Sequence, residues 1–452
     1  MNFTSPRSMS GSGRPARIAI TAAIVAAMAL PVLAQASSFQ LPVGSAATLG
    51  RAGAGGSLYD NDPTAAYSNP AALGFITESV HETTFMGLRP TAKFQGSFTD
   101  YAGRPISGSN PDGFGRPKFM GNGASAFKIN DHLVIGTSFN VPYALSSHYN
   151  SNWAGRYFGN RTAIRNYQAT LSAGYKVNDE FSMGLGVIAS YTRATIGTTI
   201  DAGSTASLLG RPVPPQAADV YLNVNAKRSV EVGYVFGFEY KPTDRDRIGA
   251  SYHSRIQNTL SGTYNLSGSA TGLALIGAAM PGVGLTGRGS ARLDIPATAN
   301  FDYLHIFNSR FTLGASAQWT GWGTFQSLAL SSNGKQLVSL PQNNKDAWMY
   351  SIGGDYRFTD RWTLHAGIAY DETPTVDGTR DPRLPDGSRK IVGVGFGYQA
   401  TRKLKLDMGY QHQFVSNVRV SQQNQALLGA GIMNGYFEDS GDLMSLTATY
   451  HF

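Results

Sequence analysis

The 452-residue sequence contains no cysteine. That excludes a disulfide framework, thiol catalysis and any cysteine-based metal site. Charge is also sparse: Asp, Glu, Lys and Arg make up 15% of the chain, for a formal net charge of +8. Three of the surplus cations, Arg7, Arg14 and Arg17, stand in the first 36 residues, and the remainder is too mildly basic to suggest nucleic acid as a partner. After residue 36 no stretch approaches the ~18 consecutive apolar residues of a membrane helix. No G-x-x-x-x-G-K-[ST] occurs, and Gly282–Gly287 matches G-x-G-x-x-G without a βαβ unit around it. The eight histidines form no H-E-x-x-H, and no carboxylates have metal-ligand spacing. The expectation is a chain with no catalytic residue, no metal and no cofactor. An inward His365 near lumenal Ser or Asp keeps a membrane-embedded hydrolase as an alternative.

What is present begins with a leader. The three arginines precede an apolar run from Ile18 to Leu33 and an A-x-A site at Ala34-Gln35-Ala36, which reads as a secretory signal cleaved near Ala36. A retained anchor is the alternative. Aromatics reach 11%, with 22 Tyr and 23 Phe, and glycine numbers 53. An exported, aromatic-rich and glycine-rich chain without apolar helices points to β structure.

Strict alternation bears this out along the sequence. Phe181, Met183, Leu185, Val187, Ala189 and Tyr191 share one face of residues 181–192, opposite Ser182, Gly184, Gly186, Ser190 and Thr192. The same pattern fills 230–241 and 362–371. Soluble sandwiches also alternate, but here aromatics gather at strand ends and the second face mixes glycine with charge, as in a membrane barrel with a polar lumen. Fourteen strands are expected, near 80–90, 119–128, 132–145, 165–177, 181–198, 227–241 and 246–266, then 289–306, 310–330, 346–358, 361–374, 389–400, 404–420 and 443–452. Short gaps such as "IND" (129–131), "NDE" (178–180), "FNS" (307–309) and "TRK" (401–403) alternate with long ones at 91–118, 146–164, 199–226, 267–288, 331–345, 375–388 and 421–442. An even strand number with short turns on one side and long loops on the other predicts an all-β fold: a transmembrane antiparallel β-barrel of the bacterial outer membrane, spanning residues 80–452. Its last strand, "SLTATYHF", ends on Phe452 and resembles the signal read by the barrel-assembly machinery.

Residues 37–79 break the pattern. They are small and polar, yet carry Phe39, Leu41, Leu58, Tyr59 and Tyr67, more apolar anchors than a solvated tail carries. A barrel this wide has a lumen to fill, so this segment is expected to fold inward as a plug. Here the sequence resembles a known family. The stretch "SFQLPVGSAATLGRAGAGGSLYDNDPTAAYSNPAAL" is similar to the N-terminal hatch of the FadL family, outer-membrane transporters of long-chain fatty acids and other hydrophobic compounds. Its Asn-Pro-Ala falls on Asn69, Pro70 and Ala71. Further similarity runs through "LDIPATANFDY", "WTGWGTFQSL" and "DPRLPDGSRKIVGVGFGY", in order over the mature chain. The resemblance implies a fourteen-stranded barrel closed by the hatch, with Phe39, Asn69, Pro70 and Ala71 among its residues. It also implies passive transport.

Two long loops are apolar. Residues 267–288 carry Leu273, Leu275, Ile276 and Met280 with Arg288 as the single charge, and 199–226 carries Leu208, Leu209 and "RPVPP". Such patches mark either an interaction site or loops packed on each other as a lid, and the resemblance implies a ligand groove between them. Arg156 in "WAGRYFGN" is a candidate anion contact, for a ligand carboxylate or for lipopolysaccharide phosphate. Pro142, inside "SFNVPYAL", removes a ladder donor and predicts a bend or bulge in the third strand; the family's lateral opening lies in the matching region. The expected partners are a hydrophobic small molecule and outer-membrane lipids, with the chain a monomer. A channel for aromatic or alkane hydrocarbons and a general porin remain as alternatives.

Overall fold

The computed structural model describes residues 38–452 except 111–116, 209, 228–229, 333–334 and 424–430. The expected leader, 1–36, lies outside the described residues. Strands appear where alternation does, and they are joined on one side by turns whose chemistry is written in the short gaps. The Asn130 side chain accepts from the N–H groups of His132 and Leu133. Asn178 does the same for Glu180 and Phe181, Asn308 for Arg310 and Phe311, and Thr401 for Lys403 and Leu404. These side chains close tight turns by mimicking a backbone acceptor.

In chain order the strands are β1 Val80–Thr99, β2 Lys118–Lys128, β3 Leu133–His148, β4 Arg161–Lys176, β5 Phe181–Asp201, β6 Asp219–Lys227 and β7 Glu231–Tyr240. They continue as β8 Asp246–His253, β9 Thr259–Gly268, β10 Thr286–Arg292, β11 Thr298–Asn308, β12 Phe311–Thr320, β13 Ser327–Ser332 and β14 Lys335–Pro341. The last six are β15 Ala347–Arg357, β16 Trp362–Asp371, β17 Arg389–Gln399, β18 Leu404–Val415, β19 Val418–Gln423 and β20 Ile432–His451. Fourteen of them close a ring of antiparallel neighbours, β1-β2-β3-β4-β5-β7-β8-β11-β12-β15-β16-β17-β18-β20. The seam is β1 with β20, paired from Val80↔His451 to Thr99↔Ile432. The remaining strands extend the wall upward: β6 pairs the upper half of β5, followed by β9, β10, β13 and β14, while β19 pairs the upper half of β20.

The hydrophobic pattern inverts along the strands. Near the short turns the outer face is apolar and the inner face polar: Met183, Leu185 and Val187 are exposed on β5, while Ser182, Ser190 and Thr192 are buried. Near the long loops the order reverses. β6 buries Val220, Leu222 and Val224 and turns Asn225 and Lys227 out; β1 buries Phe94 and Phe98 and exposes Lys93 and Gln95. The first arrangement suits hydrocarbon outside and polar groups within, the second suits water outside. The buried side chains of the upper zone form one cluster that includes Trp153, Phe158, Tyr264, Ile276, Met433 and Phe437. This inversion explains why expected boundaries fell short. The strand expected at 80–90 runs on to Thr99 and the one expected at 443–452 starts at Ile432, because at their outer ends the outward apolar run gives way to residues such as Lys93, Gln95, Asn434 and Glu438.

Candidate functional site

The segment 38–79 packs on the inner face of the wall from several sides. Helix α1 (Ala46–Gly50) is capped by the Ser45 side chain, and Ala46 N–H donates to Thr447 of β20 at 2.8 Å. Helix α2 (Ala65–Ser68) and a 3-10 turn (Pro70–Phe75) lie against β3, β4, β5 and β7. Asn69 is buried, and one side chain does two jobs. Its oxygen accepts from Ala71 N–H at 3.1 Å, and its amide donates to the Phe238 carbonyl at 3.2 Å. Pro70 opens the 3-10 turn, where its missing N–H costs nothing, and the Ala71 carbonyl accepts from Ser182 of β5 at 2.7 Å. A Cβ on Gly184 would overlap the Pro70 backbone and one on Gly237 the Asn69 side chain. The glycines of the inner face are therefore what lets the segment lie flush.

A buried ion pair fastens this segment to β15, besides the exposed pair of Asp60 with Arg247 of β8. Arg51, 3% exposed, reaches both carboxylate oxygens of Asp355 on β15, at 3.2 and 3.0 Å, and its guanidinium lies 3.6 Å from the Tyr59 ring centre. Asp355 also meets Nδ1 of His365 at 2.7 Å, and Nε2 of His365 meets Asp407 at 3.1 Å. Both imidazole nitrogens are thus committed to carboxylates. His365 ties β15, β16 and β18 together and has no nitrogen left to activate a hydroxyl.

At β3 the wall opens. β2 and β3 pair only from Lys128↔Val134 to Gly123↔Phe139. Above those rungs β2 (Lys118–Asn122) and β3 (Asn140–His148) share no ladder. On its other side β3 pairs β4, with a register shift between Asn140 and Tyr143 that leaves Val141 and Pro142 out of the ladder. Pro142 has no N–H to give, and its carbonyl turns inward to accept from Leu41 N–H at 2.8 Å; Ala144 N–H in turn donates to Phe39 O at 3.1 Å. Residues 39–41 thus form a short antiparallel bridge to the bulge, centred on Gln40↔Tyr143. Phe39 anchors it, edge-on to Trp322 at 5.0 Å and to Tyr143 at 6.0 Å, and Ser38 N–H donates to Asp386 at 2.9 Å.

A cavity of about 550 Å³ occupies the slot, reaching from outward Phe119 and Phe139 to inward Arg389 and Gln413. A second cavity of about 190 Å³ lies deeper, along Leu49, Met86 and Met349. Gln40, Leu41, Arg389 and Gln413 line both, so residues 40–41 stand between lumen and slot. Arg389 lies between Asp371 at 3.3 Å and Asp386 at 3.7 Å, and donates to Gln413 at 2.8 Å. Burial pushes the Asp386 carboxyl up to about 7, against the lowering influence of Arg389 and of its hydrogen bonds from Thr373 and Ser38. Sequence reasoning missed Arg389. Its signal was an inward-facing cation at the outer end of a strand whose other inward positions, such as Ile391 and Gly393, are uncharged.

The loop residues divide. Leu209 lies outside the described residues, as does the side chain of Leu208, whose backbone ends α3 (Ala202–Leu208). α3 packs on α4 (Ala270–Ala279), which is capped by Ser269. Ile276 is 3% exposed in the upper core, with Leu273 and Leu275 half-buried against it, and Met280 closes the helix, also half-buried. The apolar run is therefore in large part a packed lid. Arg156 is buried, and its guanidinium is spent on Asp219 at 2.9 Å, the Ser107 carbonyl at 2.9 Å and Tyr157 at 2.9 Å. It cross-links loops and offers no open charge.

Comparison with known proteins places this geometry. The profile of the outer membrane protein transport protein family (OMPP1/FadL/TodX) matches residues 27–452. The chain is similar to the long-chain fatty acid transport protein of Escherichia coli O6:H1, at 25% identity over 93% of this chain and 95% of the relative. The crystal structure of a Pseudomonas aeruginosa FadL homologue superposes with a TM-score of 0.88 at 39% identity, covering 92% of this chain and all of that one. The Ralstonia pickettii toluene transporter TbuX shares the fold, with a TM-score of 0.64 at 20% identity over 90% and 98% of the two chains. With its fourteen-stranded wall, the chain belongs to the OMPP1/FadL/TodX family of outer-membrane transport proteins.

Proposed function

We propose that this protein is a passive outer-membrane uptake channel for long-chain fatty acids or similar hydrophobic molecules, captured at the outer loops and released sideways into the bilayer. The observation that carries the reading is the pair of cavities meeting at Gln40 and Leu41, one in the lumen and one open through the wall. Each buried methylene is worth about 0.8 kcal/mol, so an acyl chain gains nothing by leaving through a watery periplasmic mouth. The slot between β2 and β3 avoids that cost. In this reading residues from Ser37 to about Ser79 are a hatch that blocks the lumen, and a shift of residues 38–41 off the β3 bulge joins the two cavities. Ligand enters beside α3 and α4, past the half-buried Leu273 and Leu275.

A hydrocarbon substrate would use the same route. Arg389 at the junction already has its charge countered by Asp371 and Asp386, which neither demands nor repels a carboxylate head group. Catalysis has no part in the reading, since His365 is held at both nitrogens. The channel acts as a monomer among outer-membrane lipids and lipopolysaccharide. It is exported by a leader cleaved near Ala36 and inserted by the barrel-assembly machinery from its terminal Phe452. The deciding experiment is growth and uptake on oleate against toluene and alkanes in a host deleted for its own transporter. Oleate uptake restored by this chain supports the fatty-acid reading. Restoration by toluene or alkane alone moves it to hydrocarbons, and uptake of polar solutes alone defeats it.

A further inference from the structure

On the outer face of β4 and β5 the two strands match rung for rung. Tyr175 pairs Met183, Ala173 pairs Leu185, Leu171 pairs Val187, Ala169 pairs Ala189 and Tyr167 pairs Tyr191. The next outward rung is Arg165↔Arg193. Arg193 in turn stands directly opposite Lys227 on β6. Three cations therefore sit side by side on three adjacent strands, all exposed. A fourth exposed cation, Arg161, lies two outward positions higher on β4.

Like charges directly opposite one another across a ladder are destabilising. Among the described residues no carboxylate forms an ion pair with Arg161, Arg165, Arg193 or Lys227. Asp294 is taken by Arg255 and Arg292, and Glu231, which opens β7 opposite β5, has a partner of its own. The partial relief inside the cluster is Arg193 over the Tyr167 ring, 5.9 Å from its centre. A row of this kind calls for an anion from outside the chain.

Its height says which anion. From Tyr175 to Arg165, β4 climbs about 25 Å along the barrel axis, for a rise of about 3.3 Å per residue and a tilt of about 40°. The apolar band of such barrels is also about 25 Å tall. The cations thus stand at the outer edge of the hydrocarbon, just above the Tyr167–Tyr191 rung, at the level of outer-leaflet head groups. Above and beside them, Arg161 apart, stand uncharged hydrogen-bonding groups: Thr195 donates to Asn225 at 2.9 Å, and Ser261 and Thr263 of β9 continue the surface. That combination, a line of cations at the phosphate level with hydroxyl and amide groups above, fits a phosphorylated glycolipid whose acyl chains lie on Leu171, Leu185 and Val187.

We infer that the outer face of β4, β5 and β6 is a binding site for a phosphorylated glycolipid of the outer leaflet, its phosphate held by Arg165, Arg193 and Lys227. The inference rests on the outer-membrane placement of the barrel and not on the transport reading, so either can fail alone. Arg165 also lines the slot between β2 and β3, which sets the bound lipid beside that opening.

The test uses the mature protein in detergent with bisphosphorylated lipid A, its monophosphoryl form and inorganic phosphate, read by native mass spectrometry. The site predicts retention of the bisphosphorylated form over the monophosphoryl form. It also predicts that Arg165→Gln/Arg193→Gln/Lys227→Gln loses that preference by about tenfold, each tenfold being about 1.4 kcal/mol. The same number of charges removed as Arg89→Gln/Lys93→Gln/Lys390→Gln should leave the preference in place. Folding of each variant is checked by its heat-modifiable mobility on gels. Equal retention of the two lipid forms by the wild type, or an unaltered preference in the folded first variant, overturns the inference. Displacement of the lipid by millimolar inorganic phosphate overturns it as well, in favour of a free-anion site.

Discussion

The backbone N–H of Leu41 donates to the carbonyl of Pro142 at 2.8 Å. A proline in a barrel wall leaves its neighbours short of a ladder donor, and an unsatisfied carbonyl facing hydrocarbon costs several kcal/mol. Here the bulge takes Pro142's own carbonyl out of the ladder and turns it inward, where the N-terminal segment supplies a donor for it. The gap in the wall and the segment that lies over it are therefore built together. Anything that moves residues 39–41 also uncovers the bulge.

The Arg51–Asp355 pair should hold the N-terminal segment against the wall. Removing one partner of a buried pair costs about 3–5 kcal/mol, whereas replacing both is tolerated far better. Arg51→Ala should lower the thermal unfolding midpoint and raise the conductance of small polar solutes in planar bilayers. Arg51→Met/Asp355→Asn should recover most of the stability. Intact-level conductance in Arg51→Ala and in a deletion of residues 40–70 would remove the plug from the account.

Asp386 should make stability pH-dependent. Its folded pKa, pushed up to about 7 by burial, lies above the unfolded value of about 3.9. The folded state therefore binds the proton more tightly between those values, and stability falls as pH rises from about 4 to about 7, then levels off. Asp386→Asn should lose this component, so urea unfolding of wild type and variant should diverge on raising the pH through that window. Parallel curves would show that Asp386 is not protonated in the folded protein near neutrality.

On α4 the packing separates capture from folding. Leu273→Asp/Leu275→Asp should weaken uptake at low substrate concentration while the barrel still assembles. Ile276→Ala should instead cost about 2–5 kcal/mol of stability, the range for a buried large-to-small change. Unchanged low-concentration uptake by the double variant would take α4 out of the capture step.

The barrel itself was legible because period 2 is strong wherever one face meets lipid, as on β4 and β5. The turns were legible because Asn130, Asn178, Asn308 and Thr401 stand where tight turns need a side-chain acceptor. The upper strands were not. β6 turns Asn225 and Lys227 outward and buries Val224, so its pattern is that of a soluble sheet and it read as loop. Pro142 flagged a break in β3, but the bridge to residues 39–41 is a contact between segments about a hundred residues apart, and so short a pairing carries no periodicity. Burial of Ile276 and the pairing of Arg156 with Asp219 likewise depend on which loops meet, which local pattern does not encode.

The most direct test of lateral release uses the absence of cysteine. Ala144 lines the slot beside Pro142, and Ala144→Cys would carry the chain's single thiol. The measurement is uptake of a labelled fatty acid by cells carrying this variant, before and after attachment of a bulky disulfide-linked group, and again after reduction. Uptake should fall by about tenfold on attachment, a barrier increase of about 1.4 kcal/mol, and return on reduction, with planar-bilayer conductance unchanged throughout. Undiminished uptake by the fully labelled protein would mean that the substrate does not leave through the slot between β2 and β3.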